Sequence, residues 1–123
     1  MSKDQTLKTL EDLKVRTFEP RDQSAVSRLY DKGLLAGQIA PNDTGADIDN
    51  MYEAYFTNVR HRFWVAEIDG QILGMIGVAE DEQDTAEIRR LRVEQAHQHT
   101  NISHDLLETA INHCRHHGYL KVR

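Results

Sequence analysis

The dipeptide Asp69-Gly70 stands between two apolar, partly β-branched runs, Phe63–Ile68 and Gln71–Ala79, and it constrains the fold more than any other feature of the chain. Both residues tolerate positive φ, so together they make a tight hairpin whose twist matches that of the strands it joins. The centre of the chain is therefore antiparallel sheet. Ala86–Val93 continues the meander after an acidic stretch, Glu80-Asp81-Glu82-Gln83-Asp84, which is expected to be a solvated loop. Then the period changes from 2 to 3.6. A helix is expected from Ile102 to His117 with Leu106, Leu107, Ala110, Ile111 and Cys114 inward, followed by Gly118 as its C′ residue and a last strand, Tyr119–Val122. Strand, helix, strand over residues 86–123 is long enough for a right-handed parallel crossover. Antiparallel and parallel pairing in one sheet define a mixed α/β fold.

Upstream, residues 1–12 read as a polar arm and residues 13–123 as one domain. Leu13–Phe18 alternates as a short strand that Pro20 stops. Asp22 is the expected N-cap of a helix bearing Val26, Leu29, Tyr30 and Leu34, which Gly37 ends. A polar loop, Pro41-Asn42-Asp43-Thr44-Gly45, leads to a second helix opened by Asp47. Its stripe is Ile48, Met51, Tyr52, Tyr55 and Val59. The element order is β-α-α-β-β-β-α-β, with Trp64 in the core or on a sheet face.

Several function classes fall away on composition. The 123 residues make one domain, and 39% hydrophobic with 28% charged residues suits a globular chain. No apolar run approaches the roughly 18–20 residues of a membrane span. Met1–Leu10 is polar and unlike a targeting peptide. Cys114 is the only cysteine, which forbids an internal disulfide and points to a reducing, cytoplasmic setting. Residues 1–86 carry 9 basic and 16 acidic side chains, whereas residues 87–123 carry 6 basic and 4 acidic and six of the seven histidines. An acidic body is a poor grip for nucleic acid, but the last third suits one small anionic ligand.

Unpaired N–H groups and the helix dipole attract anions where a strand–helix loop opens a helix, and the one such loop here is Glu94–Asn101. The run Leu91-Arg92-Val93-Glu94-Gln95-Ala96-His97-Gln98-His99-Thr100-Asn101-Ile102-Ser103, continuing into Leu106-Leu107, resembles the GNAT superfamily of acetyl-CoA-dependent N-acetyltransferases. The family has a strand ending in Val, then Gln/Arg-x-x-Gly-x-Gly/Ala before a helix with Leu-Leu. Gln98 holds the Gln/Arg position, Asn101 the first glycine and Ser103 the second small residue. Leu73-Gly74-Met75-Ile76-Gly77 looks like the family's third strand, and His113–Val122 resembles its passage into the fifth.

The resemblance implies acetyl-CoA as acyl donor. It implies main-chain groups of Leu91, Arg92 and Val93 beside the pantetheine arm. It also implies Gln98, His99, Thr100, Asn101, Ile102 and Ser103 around the pyrophosphate, with His99 facing phosphate. Asparagine is among the best substitutes for glycine where φ must be positive, and serine is small. An ordinary helix cap by Asn101 or Ser103 is the alternative.

Glu87, in Ala86-Glu87-Ile88, resembles the fourth-strand carboxylate that deprotonates the amine through water, a task that a mildly raised pKa would suit. Pairing with Arg89 or Arg62 on a solvated strand is the competing reading. The resemblance thus implies transfer of an acetyl group to a primary amine, on a small molecule or a protein, by direct attack. A backbone N–H near Val93 would stabilise the oxyanion. The family domain normally continues beyond the fifth strand, whereas this sequence reads only to Arg123. The expectation is therefore a C-terminally incomplete GNAT-like domain with an exposed last strand, available for pairing with a second copy. A non-catalytic module binding coenzyme A or a partner chain at that edge is the alternative function. His113 and His117 have chelating i, i+4 spacing without an acidic or cysteine ligand to complete a site, and no metal is expected. Cys114 lies on the apolar stripe, and Tyr119 stands at the entry to the last strand.

Overall fold

A computed structural model describes residues 12–32, 41–98 and 100–123. The expected arm, the ends of the first helix at Leu34 and Gly37, and His99 lie outside the described residues. The elements are β1 (Lys14–Thr17), α1 (Gln23–Lys32), α2 (Ala46–Asp49), α3 (Met51–Tyr55), β2 (Arg62–Ile68), β3 (Gln71–Glu82), β4 (Thr85–Val93), α4 (Ile102–His116) and β5 (Lys121–Val122). Short 3₁₀ turns at Pro20–Asp22 and Gln95–His97 precede α1 and follow β4. The five strands form one sheet in the order β1-β2-β3-β4-β5. The first four pair antiparallel, and β5 lies parallel to β4 with Thr85 opposite Lys121.

Asp69 and Gly70 have φ of 50° and 81°, as a type I′ turn demands. At the other end of the chain Gly118, at φ 79°, closes α4. Its N–H donates to the Arg115 carbonyl and that of Tyr119 to the Cys114 carbonyl, a Schellman motif that aims the chain back along β4.

Alternation along the strands divides the core between the two faces of the sheet. Trp64, Ile76, Val78, Ala86 and Val93 meet Ile102, Leu106, Ala110 and Cys114 of α4 on one face. Phe63, Val65, Ile72, Met75 and Ala79 meet Val26 and Leu29 of α1, Ile48 of α2, and Met51 and Tyr55 of α3 on the other. Gly74 lets α4 sit close: a Cβ there would lie 2.9 Å from Leu106 Cδ1 and 3.0 Å from Ile102 Cγ2. Among the described residues no helix is long and apolar enough to cross a membrane.

Four local expectations change. The second helix breaks at Asn50, whose φ of −133° and ψ of 52° are not helical. The stripe therefore keeps Ile48, Met51 and Tyr55 inside but leaves Tyr52 and Val59 exposed. The acidic stretch is largely strand, because β3 runs on through Glu82. Its carboxylates reach cations, Glu80 to Arg60, Asp84 to Lys121 and Asp81 to Arg123. Asp22 is not an N-cap but the end of the 3₁₀ turn, where its carboxylate accepts the Glu19 N–H at 2.8 Å and binds Arg16. Ile111 is only half-buried, whereas Leu107, also partly buried, does pack against the core.

Candidate functional site

Strand β4, which holds most of the candidate residues, has an interruption in its pairing. Met75 faces Arg92 and Gly77 faces Arg89, so Arg90 and Leu91 together oppose Ile76 alone. This β-bulge puts Arg90 at φ 57°, a left-handed conformation that costs an ordinary residue about 1–2 kcal/mol. Side-chain bonding offsets that cost. The Arg90 guanidinium holds two carboxylates, with Nε donating to Asp47 Oδ2 at 3.0 Å and Nη2 to Asp43 Oδ1 at 3.0 Å. Nη1 also meets Asp43 Oδ2, and Nη2 meets Asp47 Oδ1. Tyr30 lies under the guanidinium, 4.9 Å from ring centroid to Cζ. Tyr55, fully buried, donates its hydroxyl to Asp47 Oδ2 at 2.6 Å. Arg90 holds both carboxyls below their usual range, although burial pushes Asp47 the other way. Desolvation and Asp47 raise the Tyr55 hydroxyl above its ordinary value. The network anchors the segment before and within α2 to the bulge.

Beyond the bulge the edge of β4 is open. β5 pairs through the Ile88 N–H to the Arg123 carbonyl and the Arg123 N–H to the Ala86 carbonyl, both 2.8 Å. Among the described residues no strand lies beside Arg89–Val93 on that side. The Glu94 N–H donates to the Leu73 carbonyl at 2.7 Å, so by alternation the N–H and C=O of Val93 face away from β3. Gln98 Nε2 takes that carbonyl at 3.0 Å, which leaves the Val93 N–H on the open edge.

At the loop, the N-cap residue Asn101 makes no side-chain cap bond to α4. The Thr100 hydroxyl donates to the His97 carbonyl at 2.6 Å and accepts the Ile102 N–H only at 3.4 Å. Helix bonding begins with the Asp105 N–H to the Asn101 carbonyl. The first turn therefore keeps orphan N–H groups, the arrangement that receives phosphate. Asn101 has φ −84°, so no left-handed backbone is required at the first glycine position. A glycine there would answer a need for space, which an exposed asparagine also leaves. Ile102 is buried over Gly74 and offers only its main chain.

Glu87 lines an open cleft of about 360 Å³ with Asp47, Ile88, Arg89 and Arg90. Its carboxylate accepts from Arg89 Nε and lies 3.5 Å from Arg123 Nη2. These two cations hold its pKa below the usual carboxylate value, the reverse of the expected rise, because burial is too slight to oppose them. Of the two expected partners Arg89 is found. Arg62 lies over the Phe56 ring instead.

Residues 11–123 match the Acetyltransferase (GNAT) family. The chain belongs to the GNAT acetyltransferase family. A curated relative, the Xenopus tropicalis protein named Probable N-acetyltransferase camello, is 29% identical over 75 residues, covering 59% of this chain and 34% of its own. The chain thus spans about a third of the length of that curated relative. In three dimensions the domain is similar to a GNAT acetyltransferase of Staphylococcus aureus, with TM-score 0.73 at 17% identity over 87% of this chain and 68% of that one. It is similar also to a GNAT acetyltransferase of Brucella melitensis in complex with acetyl-CoA, with TM-score 0.71, 21% identity, 87% of this chain and 71% of that one.

The GNAT fold brings Leu91, Arg92, Val93, Gln98, Thr100, Asn101 and Ser103 to one end of β4 and places Glu87 farther back along the same strand. Sequence reasoning missed Asp43, Asp47 and Arg90. Their partners lie 43 and 47 residues apart, and no local pattern signals that pairing. The remaining polar cluster is structural. His113 donates Nε2–H to the Arg60 carbonyl at 3.0 Å and packs edge-on to Trp64, while the Arg60 guanidinium covers the Tyr119 ring at 3.8 Å. Burial lowers the His113 pKa and raises that of Cys114, a core thiol. No three metal-ligating side chains gather among the described residues.

Proposed function

We propose that this GNAT domain binds acetyl-CoA and transfers its acetyl group to a primary amine by direct attack. One observation carries the reading. Beyond the Arg90–Leu91 bulge the Val93 N–H lies on an open strand edge that leads to a helix start where the Asn101 side chain makes no cap bond. The acetyl-CoA complex of the Brucella relative and the name of the Xenopus relative support it.

Acetyl-CoA supplies a thioester-activated acetyl group. Main-chain groups of Leu91 and Val93 would pair with the pantetheine arm as an added strand. A backbone N–H there would polarise the reacting carbonyl. N–H groups at the α4 start receive pyrophosphate, and the small Ser103 leaves room for it. Gln98 keeps the Val93 carbonyl engaged, so the strand edge presents its donor. The amine nitrogen bonds to the carbonyl carbon as the carbon–sulfur bond breaks. One ammonium proton passes through water to Glu87 and the second ends on the leaving sulfur. Glu87 is ionised over the working range because its pKa is depressed, so it is ready to accept although it is a weak base.

A second reading, a non-catalytic module that binds coenzyme A or a partner chain at the open edge, draws on the ties of Glu87 to Arg89 and Arg123. Calorimetric titration with acetyl-CoA and coenzyme A tests the shared step. Saturable binding is expected, and Ser103→Asp should abolish it while leaving the far-ultraviolet dichroism unchanged. Binding of Ser103→Asp as tight as the parent's would refute the loop assignment. Release of free thiol with an amine panel then separates the enzyme from the module.

A further inference from the structure

Three arginines lie on or beside the face of β4 that looks toward α1, and among the described residues only two have carboxylate partners. Arg89 donates to Glu87, and Arg90 holds Asp43 and Asp47. Arg92 stands opposite Met75, a core residue of that same face, so its side chain leaves the sheet toward α1. Its Nη1 donates to the Leu91 carbonyl at 3.2 Å, and its Nε is buried with no hydrogen-bond partner among the described residues. The nearby aspartates are already committed. Asp43 Oδ1 accepts from Arg90 and from the Gly45 N–H at 3.0 Å, and Asp47 Oδ2 accepts from Arg90 and Tyr55. Burial and the neighbouring Arg90 both disfavour the Arg92 charge. A desolvated guanidinium with an idle donor calls for a counter-ion, and a carboxylate matches its fork.

We propose that Arg92 receives a carboxylate of the acceptor, so that the substrate is an amine that also carries an acid group, as an amino acid does. This rests on the acetyl-transfer reading above. A coenzyme phosphate is the other available oxyanion, but its site lies at the α4 N-terminus. That helix packs on the opposite face of the sheet, where Ile102 meets Gly74 and Val93.

Arg92→Met tests the proposal because it removes the charge and keeps the length. With no ligand present the unpaired charge is a cost, so the variant should melt at or above the parent's temperature. A clear fall would mean that the fold itself uses the charge, and would overturn the proposal. This arm needs no activity. A second arm compares L-phenylalanine with phenethylamine and L-lysine with cadaverine, by calorimetric binding and by kcat/KM. The parent should favour the acid member of each pair roughly 10- to 100-fold, and Arg92→Met should bring the ratio to about one. A parent without preference in either pair overturns the proposal. Titration with coenzyme A is the third arm. Loss of coenzyme affinity in Arg92→Met as large as the loss of acid preference assigns the arginine to phosphate instead. A parent that binds no coenzyme A refutes the function, while the binding ratios still decide the role of Arg92.

Discussion

Arg16 and Arg90 each hydrogen-bond two carboxylates, from backbones of opposite kind. Arg16 lies in regular β1, opposite Val65, and clamps Asp22 and Glu67 with bonds of 2.8–2.9 Å. Asp22 is buried, and the two arginines are similarly shielded from solvent. The Arg16 cluster joins β1, the turn before α1 and β2, so it fastens three elements that the core already holds together. Arg90 sits in a left-handed bulge and reaches a segment across the chain that the Tyr30 and Tyr55 hydroxyls also hold, at the Asp43 carbonyl and Asp47 Oδ2. One arginine reinforces regular structure, and the other holds open an irregularity. The difference teaches that the bulge is braced from outside β4, by Asp43 before α2 and Asp47 within it, so the geometry of the candidate site depends on a segment distant in sequence.

The sharpest way to break this comparison is to remove each arginine. Arg16→Met strands the buried Asp22, whereas Arg90→Met strands the partly exposed Asp43 and Asp47, so urea unfolding should show a loss of about 3 kcal/mol in the first and about 1–2 kcal/mol in the second. Their activities should part. At a temperature where both variants are folded, Arg16→Met should keep the parent kcat/KM, whereas Arg90→Met should lose at least about tenfold as the bulge relaxes toward regular pairing. Equal losses in the two variants would remove the distinction between staple and strut.

Much of the fold was readable in the chain because its decisive signals are local. Asp69-Gly70 encodes its own φ values, Gly118 marks the end of α4, and the spacing of Leu106, Ala110 and Cys114 shows which side of that helix is buried. The errors fell where a tertiary contact overrides local preference. Asn50 breaks a continuous apolar stripe so that Met51 and Tyr55 can reach the sheet. Neighbouring cations let acidic residues continue β3 through Glu82. The place of the candidate loop between β4 and α4 was legible, but the backbone of Asn101 was not, since its φ is negative. The Arg90 network was invisible because nothing in Leu91-Arg92-Val93 says that the residue before it turns left-handed.

Glu87 sharpens the comparison from inside the strand. It lies on the face that carries Arg89, yet its cations are near neighbours rather than a distant loop. Glu87→Gln should lower kcat/KM by about 100-fold while leaving acetyl-CoA binding intact, measured by thiol release and calorimetry. A variant with parent activity would transfer the proton to bulk water and favour an acceptor that arrives neutral.

The smallest effect lies on the acid limb. Asp43 is held below its usual pKa by Arg90, and a group whose folded pKa is depressed contributes stability that is present above its unfolded value, about 3.9. That contribution is lost as pH falls from about 4 toward the folded value. Asp43→Asn should therefore cost on the order of 1 kcal/mol at pH 6, since the pair is partly solvent-screened, and the gap from the parent should narrow steadily as pH falls below about 4. Asp22 is likewise held below its usual value, with Arg16 opposing the effect of burial, so Asp22→Asn should show the same sign. The two variants differ in the structural consequence of losing the charge. Loss of Asp22 removes a bond to the Glu19 N–H inside the frame, whereas loss of Asp43 frees one anchor of the bulge. Acid titration of activity at constant fold would then show the Asp43 variant failing at a pH where the Asp22 variant still works. Matching profiles would mean that the bulge holds itself, with Asp47 alone sufficient to keep Arg90 in place.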